Sequence, residues 1–128
     1  MIRLSRRCEY AILLMIELSR QEDPYKFCPL KNIVSEHPVS PKYLDRIAYT
    51  LVRGGLLEAM HGLGGGYRLR RDPAGYTVLD IVRAVDNEST EAPLEDTMLE
   101  GFMGVWDNAK AAFKNELSEI TLAQLAVG

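Results

Sequence analysis

The sequence predicts a mainly helical chain that carries one small β-hairpin and ends in a long amphipathic helix. Three observations predict it. Apolar residues recur at spacings of three and four in several separate stretches. Proline and small polar residues stand where those stretches would begin as helices. A glycine-rich run, Gly62 to Gly66, lies between two short segments of strand character.

Taken in order, Ser5 is placed to cap a first helix, in which Ala11, Leu14, Met15 and Leu18 form one apolar face and which runs to about Arg20. Gln21 to Phe27 reads as a connection. Pro29 opens a short second helix with Leu30, Ile33 and Val34 inward, and His37-Pro38 ends it. Ser40-Pro41 starts a third helix with an oxygen for the free amides and a proline whose missing amide costs nothing there. Leu44, Ile47, Ala48 and Leu51 are its buried stripe, and Gly54 is expected as a left-handed stop. Leu56 to Met60 and Tyr67 to Arg70 then pair as strands across the glycine turn. Thr77 and Asp80 have capping-box spacing and open a helix through Ile81, Val82 and Val85 to about Asp86.

Residues 87–97 form a polar, acidic loop. Beyond it Leu99, Phe102, Met103, Trp106, Ala109, Phe113, Leu117 and Ile120 trace a long amphipathic helix. Its aromatic stripe is too large for a small domain to cover. Phe102, Met103, Trp106, Ala109, Phe113 and Leu117 are therefore expected at a dimer contact rather than in a cofactor box. The expected division is 1–86 for the domain with the hairpin, 87–97 for the loop and 98–128 for the dimerisation helix and tail.

Composition bounds what such a chain does. At 128 residues, 47% hydrophobic and 26% charged, it has room for one core and an appended helix. Arg3, Arg6, Arg7 and Glu9 interrupt the first apolar run before secretory length, and Ala11 to Ile16 cannot span a bilayer. Two cysteines make no disulfide framework, so a cytoplasmic protein is expected. The net charge of −3 hides a segregation. Residues 1–76 hold 12 Lys and Arg against 8 Asp and Glu, a balance of +4; residues 77–128 hold 3 against 10, a balance of −7. A basic first part can follow phosphates while the acidic part faces elsewhere.

Two short helices across a tight turn followed by a hairpin make a winged helix-turn-helix. Ser40-Pro41-Lys42-Tyr43-Leu44, the opening Arg3-Leu4-Ser5 with Tyr10-Ala11, and Gly54-Gly55-Leu56-Leu57 carry a closer likeness. Gly64-Gly65-Gly66-Tyr67-Arg68-Leu69 and the closing Ile120-Thr121-Leu122-Ala123 extend it over nearly the whole chain. In these the sequence resembles the Rrf-type bacterial transcriptional regulators, the family of IscR, NsrR and CymR. The resemblance implies a winged helix-turn-helix domain, a long helix crossing to the partner of a homodimer, and operator binding that answers a cellular signal, with repression the expected outcome.

If residues 41–53 are the recognition helix, its outward faces carry Lys42, Tyr43, Arg46, Tyr49, Thr50 and Arg53. Lys42, Tyr43 and Arg46, nearest its start, are assigned to base edges or adjacent phosphates. Ser40 is placed to donate to a phosphate at the positive helix end. Tyr43 and Tyr49 have packing between helices as the alternative. In the wing, Gly64 and Gly65 allow close backbone approach to double-stranded DNA, and His61, Arg68 and Arg70 supply donors. A nucleotide-binding loop is the competing reading, but no Gly-Lys-Ser/Thr follows and Gly62-x-Gly64-x-Gly66 is not the dinucleotide spacing.

Many members of the resembled family hold an iron-sulfur cluster on three cysteines between the wing domain and the long helix. Here that region has none and offers only Glu88, Glu91, Glu95, Asp96 and Glu100, hard ligands ill suited to replace thiolates. No cofactor and no metal are predicted; a standard cluster is not expected, and an atypical one using Cys8, Cys28 or carboxylates stays open. In this respect the chain is similar to the cluster-free branch. Cys28, at the expected N-cap before Pro29, is either a redox-active thiol made acidic by the helix end or a small residue filling the slot. Cys8 lines up with Ala11, Ile12 and Met15 and is expected buried. A metabolite or partner protein near the acidic loop is the other candidate signal. Cys8, Cys28, His37 and His61 lack a recognised catalytic setting, so no enzyme is expected. A winged-helix interaction module without DNA binding is the remaining alternative, against which the basic residues 42, 46, 68 and 70 weigh.

Overall fold

The structure, a computed structural model, describes residues 5–34, 39–86 and 100–127. Its elements are α1 (Arg6–Ser19), α2 (Leu30–Val34), α3 (Pro41–Arg53), β1 (Leu57–Met60), β2 (Gly66–Leu69), a 3-10 turn (Pro73–Gly75), α4 (Val78–Val85), α5 (Glu100–Glu119) and α6 (Leu122–Val127). Helix starts coincide with caps. Ser5 Oγ accepts from the Cys8 amide at 3.1 Å and Ser40 Oγ from the Tyr43 amide at 3.2 Å. Thr77 and Asp80 form the reciprocal capping box that opens α4. Thr121 and Gln124 exchange the same pair of bonds ahead of α6.

The apolar stripes meet in one core. Ala11, Leu14, Met15 and Leu18 of α1, Leu44, Ile47, Ala48 and Leu51 of α3, and Leu79, Ile81 and Val85 of α4 are buried. Each large side chain so buried contributes about 1.5 to 3 kcal/mol. β1 and β2 pair antiparallel with Leu57 opposite Leu69 and Glu58 opposite Arg68, which turns both leucines into that core. Winged helix-turn-helix geometry follows, with α2 and α3 as the paired helices and the hairpin as the wing.

Two local expectations are corrected. Gly54 is right-handed, at φ −78°, and the left-handed residue is Gly55, at φ 81°. The amide of Leu56 donates to Leu51 O at 2.9 Å and that of Gly55 to Val52 O at 3.0 Å, so the helix ends in a Schellman turn one residue later. Gly54 serves packing instead, since a Cβ there would lie 2.9 Å from the Ala84 Cβ of α4. Cys28 is not an N-cap. It stands two residues ahead of α2 and pairs with Tyr67 as a third strand segment, through Cys28 N to Tyr67 O at 2.8 Å and Tyr67 N to Cys28 O at 3.0 Å.

The C-terminal segment also departs from expectation. α5 ends at Glu119, short of Ile120, whose carbonyl accepts from the Val78 amide at 2.8 Å. Leu122 donates its amide to Tyr76 O at 3.0 Å and buries its side chain completely. Arg20 Nε donates to Ala126 O at 3.0 Å. The supposed tail thus completes the unit begun by α1 rather than trailing from the long helix. On α5, which packs against α4, Phe113 and Ala109 are exposed and Leu117 is half-buried. Phe102, Met103 and Trp106 lie on that helix with side chains outside the described residues, as does the whole 87–97 loop. Among the described residues no helix is long and apolar enough to cross a membrane.

Tyr76 joins these parts. Its side chain is fully buried; the hydroxyl donates to Leu56 O at 2.7 Å and accepts from the amides of Arg70 at 2.9 Å and Arg71 at 3.1 Å. Tyr76→Phe strands these backbone groups and is expected to destabilise the fold by about 2 kcal/mol in denaturant unfolding. A midpoint equal to that of the wild type would show that the hydroxyl is dispensable.

Candidate nucleic-acid interface

With Leu44, Ile47, Ala48 and Leu51 turned inward, α3 presents Lys42, Asp45, Arg46, Tyr49 and Arg53 to solvent. Lys42 and Arg46 stand one turn apart at the N-terminal half, where a recognition helix approaches bases most closely. Ser40 keeps its hydroxyl proton for an outside acceptor, because its bond to Tyr43 uses only a lone pair. Thr50 does not: its hydroxyl donates to Arg46 O at 3.0 Å, within the helix. The two tyrosines separate. Tyr43 is half-buried with its ring edge-on to Tyr10, centroids 5.8 Å apart, a packing contact between α1 and α3. Tyr49 is 60% exposed, with Arg53 6.0 Å from its ring centre.

The wing is braced from within. Gly62 and Gly64 have φ of 91° and 76°, which the turn requires. A Cβ on Gly65 would overlap the Met60 carbonyl, and one on Gly66 the Cys28 carbonyl. Closure of the turn requires glycine at 65, and the close approach of the Cys28 strand segment requires it at 66. Arg68 is likewise a strut. Its Nε donates to Glu58 Oε2 at 3.0 Å, its Nη2 lies 2.9 Å from the same oxygen, its Nη1 donates to Tyr25 O at 2.8 Å, and its head lies 4.3 Å from the Phe27 ring centre. These contacts hold its head at the root of the wing. Among the described residues Arg70 makes only a 3.8 Å pair with Glu58 and keeps half its side chain in solvent, and His61 is exposed at the start of the turn. A pairing of that length and exposure is worth little.

Asp45 and Tyr67, which no local pattern singles out, couple helix to wing. The Tyr67 hydroxyl donates to Asp45 Oδ1 at 2.7 Å. Burial first, then the bond to Asp45 and its negative charge, push the Tyr67 phenol up to about 12. Beside this link an open groove of about 480 Å³ runs between Pro41, Lys42 and Asp45 on one wall and Met60, His61, Gly62 and Gly65 on the other. Helix and wing thus form one continuous face.

Known proteins share this architecture. Residues 4–128 match the family model named Rrf2 and described as an iron-dependent transcriptional regulator. The chain is 28% identical over 127 residues to the HTH-type transcriptional regulator CymR of Bacillus subtilis, covering 98% of this chain and 90% of that one. It is 31% identical over 137 residues to the HTH-type transcriptional regulator IscR of Serratia proteamaculans, covering 97% and 79%. The solved structure of CymR, the global cysteine regulator of B. subtilis, superposes with a TM-score of 0.81 at 30% identity over 99% of this chain and 98% of that one.

The family description names iron. Cys8 and Cys28 are buried on separate elements, and among the described residues no group of three or more His, Cys, Asp or Glu side chains is placed to hold a metal. Glu88, Glu91, Glu95 and Asp96 lie outside the described residues. Burial, then the charges of Asp86 and Glu9, raise the Cys8 thiol from 9.0 to about 11, and burial followed by the charge of Glu17 also raises Cys28. This reverses the lowering expected for Cys28 from a helix end. A thiol raised in the fold favours folding fully below the unfolded value of 9.0, and for Cys8 that contribution is lost as pH climbs through about 11. At about pH 8, native protein should therefore resist iodoacetamide at both thiols while denatured protein reacts at both. Rapid labelling of native Cys28, read by mass, would contradict this placement.

Proposed function

This chain belongs to the Rrf2 family of transcriptional regulators, and we propose that it acts as a homodimer that binds a palindromic operator and represses transcription from it. The observation that carries this reading is the exposed pair Lys42 and Arg46 on the N-terminal half of α3, of which Lys42 lines the groove shared with the wing. Such long donors reach base edges and phosphates when a helix lies in the major groove. Tyr49, Arg53, His61 and Arg70 flank that pair, and Ser40 stands at the helix end. Two copies related by a twofold axis present two such helices, so half-sites lie one helical turn or a multiple apart. The exposed Phe113 and Ala109 on α5 support this helix as the dimer contact.

The regulator works without iron on this reading, in the cytoplasm. A Cys28 switch is disfavoured by its buried, neutral thiol, which leaves a metabolite or protein effector acting near the 87–97 loop and α5 as the signal. The exposed cations on α3 likewise favour DNA over a protein-interaction module.

Wild-type protein is expected to enrich a palindromic duplex from a randomised pool and to lose affinity steeply with salt. Arg46→Ala should cost about 1 to 3 kcal/mol on that duplex and relax its sequence preference, and Lys42→Ala should reduce the salt slope by about one. Unchanged binding by both variants would overturn the assignment. Protein purified without oxygen should be colourless and iron-free; visible charge-transfer bands with stoichiometric iron would instead show that thiolates or carboxylates build a cluster site.

A further inference from the structure

We propose that Leu63, at the wing tip, is an apolar wedge that enters the DNA minor groove and unstacks a base step, so that the regulator bends its operator. This rests on the DNA-binding reading above. From Met60 to Gly66 the wing contains no Lys or Arg, and Arg68 is held at the wing root by Glu58 and the Tyr25 carbonyl. The one donor side chain there is His61, at the start of the turn, so the tip beyond it carries no cation to clamp phosphate. What it offers is apolar: Leu63 is fully exposed and Met60 is 46% exposed.

The leucine is held out by a defined turn. The Gly65 amide donates to Gly62 O at 3.0 Å, Gly64 has φ 76° and Leu63 has no positive φ, the pattern of a type II turn with Leu63 at its second position. The hairpin below is fixed by the Cys28–Tyr67 bridge and by the Tyr67 bond to Asp45 on α3. Little conformational freedom is left to lose on insertion. On either side, nothing lies within 4 Å of where a Cβ on Gly62 or Gly64 would stand, so the projecting side chain has bare flanks between narrow groove walls.

Position matches the task. The groove that joins Lys42 to His61 and Gly62 sets the residues on which the tip stands beside α3. With α3 in the major groove, a wing beside it meets the neighbouring minor groove, where leucine side chains wedge between steps and kink the duplex. Pyrimidine–purine steps open most easily, so the wedge adds a preference at positions no donor touches. One leucine and part of a methionine are far too small an apolar patch to hold a protein partner.

The test uses full-length protein and the duplex it enriches from a randomised pool, carrying 2-aminopurine at single steps beside each half-site and a dye pair at its ends. Wild type should raise 2-aminopurine fluorescence at one step per half-site and shorten the end-to-end distance. Leu63→Ala should abolish both and weaken binding on the order of tenfold, with the salt slope unchanged. Leu63→Met should keep both signals. Replacing the opened step by an A-tract should remove most of the difference between wild type and Leu63→Ala. Bound Leu63→Ala that gives the full fluorescence rise and bend would overturn the wedge and leave DNA reading intact; a wild type that enriches no duplex would overturn both.

Discussion

The buried hydroxyl of Tyr76 is the constraint on which the rest of the structure depends. A phenol taken out of water must find partners, and this one finds three, all backbone groups, at the two ends of the wing: Leu56 as β1 begins, and Arg70 and Arg71 as β2 leaves. Arg71 closes over its ring at 4.4 Å and the Tyr76 carbonyl receives the Leu122 amide. Hairpin, 3-10 turn and C-terminal helix therefore meet at one residue, and the wing leaves the core at a set angle.

Two further links carry that angle outward. Arg68 ties β2 to Glu58 across the hairpin and to the Tyr25 carbonyl before α2, while Tyr67 ties β2 to Asp45 on α3. The reading helix and the wing are thus braced against each other before any ligand arrives. Preorganisation of this kind spares the ordering cost on binding, which lets modest contacts yield useful affinity. A net charge of −3 is compatible with a DNA-binding regulator because the charge is segregated: Lys42 and Arg46 are exposed on α3, and Lys42 lines the groove shared with the wing.

The cysteines show how burial overrides a local rule. A thiol beside a helix start is ordinarily acidified, yet the Cys28 backbone is held in a bridge to Tyr67 ahead of the helix and its buried thiol is raised by desolvation. Arg68 shows the same thing for a cation. Its place in a glycine-rich wing suggests a phosphate contact, and three-dimensional neighbours claim its donors first.

By itself the sequence determined the helices, their caps, the buried stripes, the hairpin and the outward Lys42 and Arg46, because capping and amphipathic periodicity act over three or four residues and are written in adjacent side chains. Only the tertiary structure decided that Gly54 yields the left-handed turn to Gly55, since the reason for Gly54 is the Ala84 side chain on another helix. It also decided that Ile120 leaves the long helix and that Leu122 returns to the core, although the apolar spacing runs on without a break. Tyr76, Asp45 and Tyr67 were illegible for the same physical reason: the bond from Tyr76 to Leu56 spans 20 positions and that from Tyr67 to Asp45 spans 22, and a partner at that distance leaves no trace in local pattern.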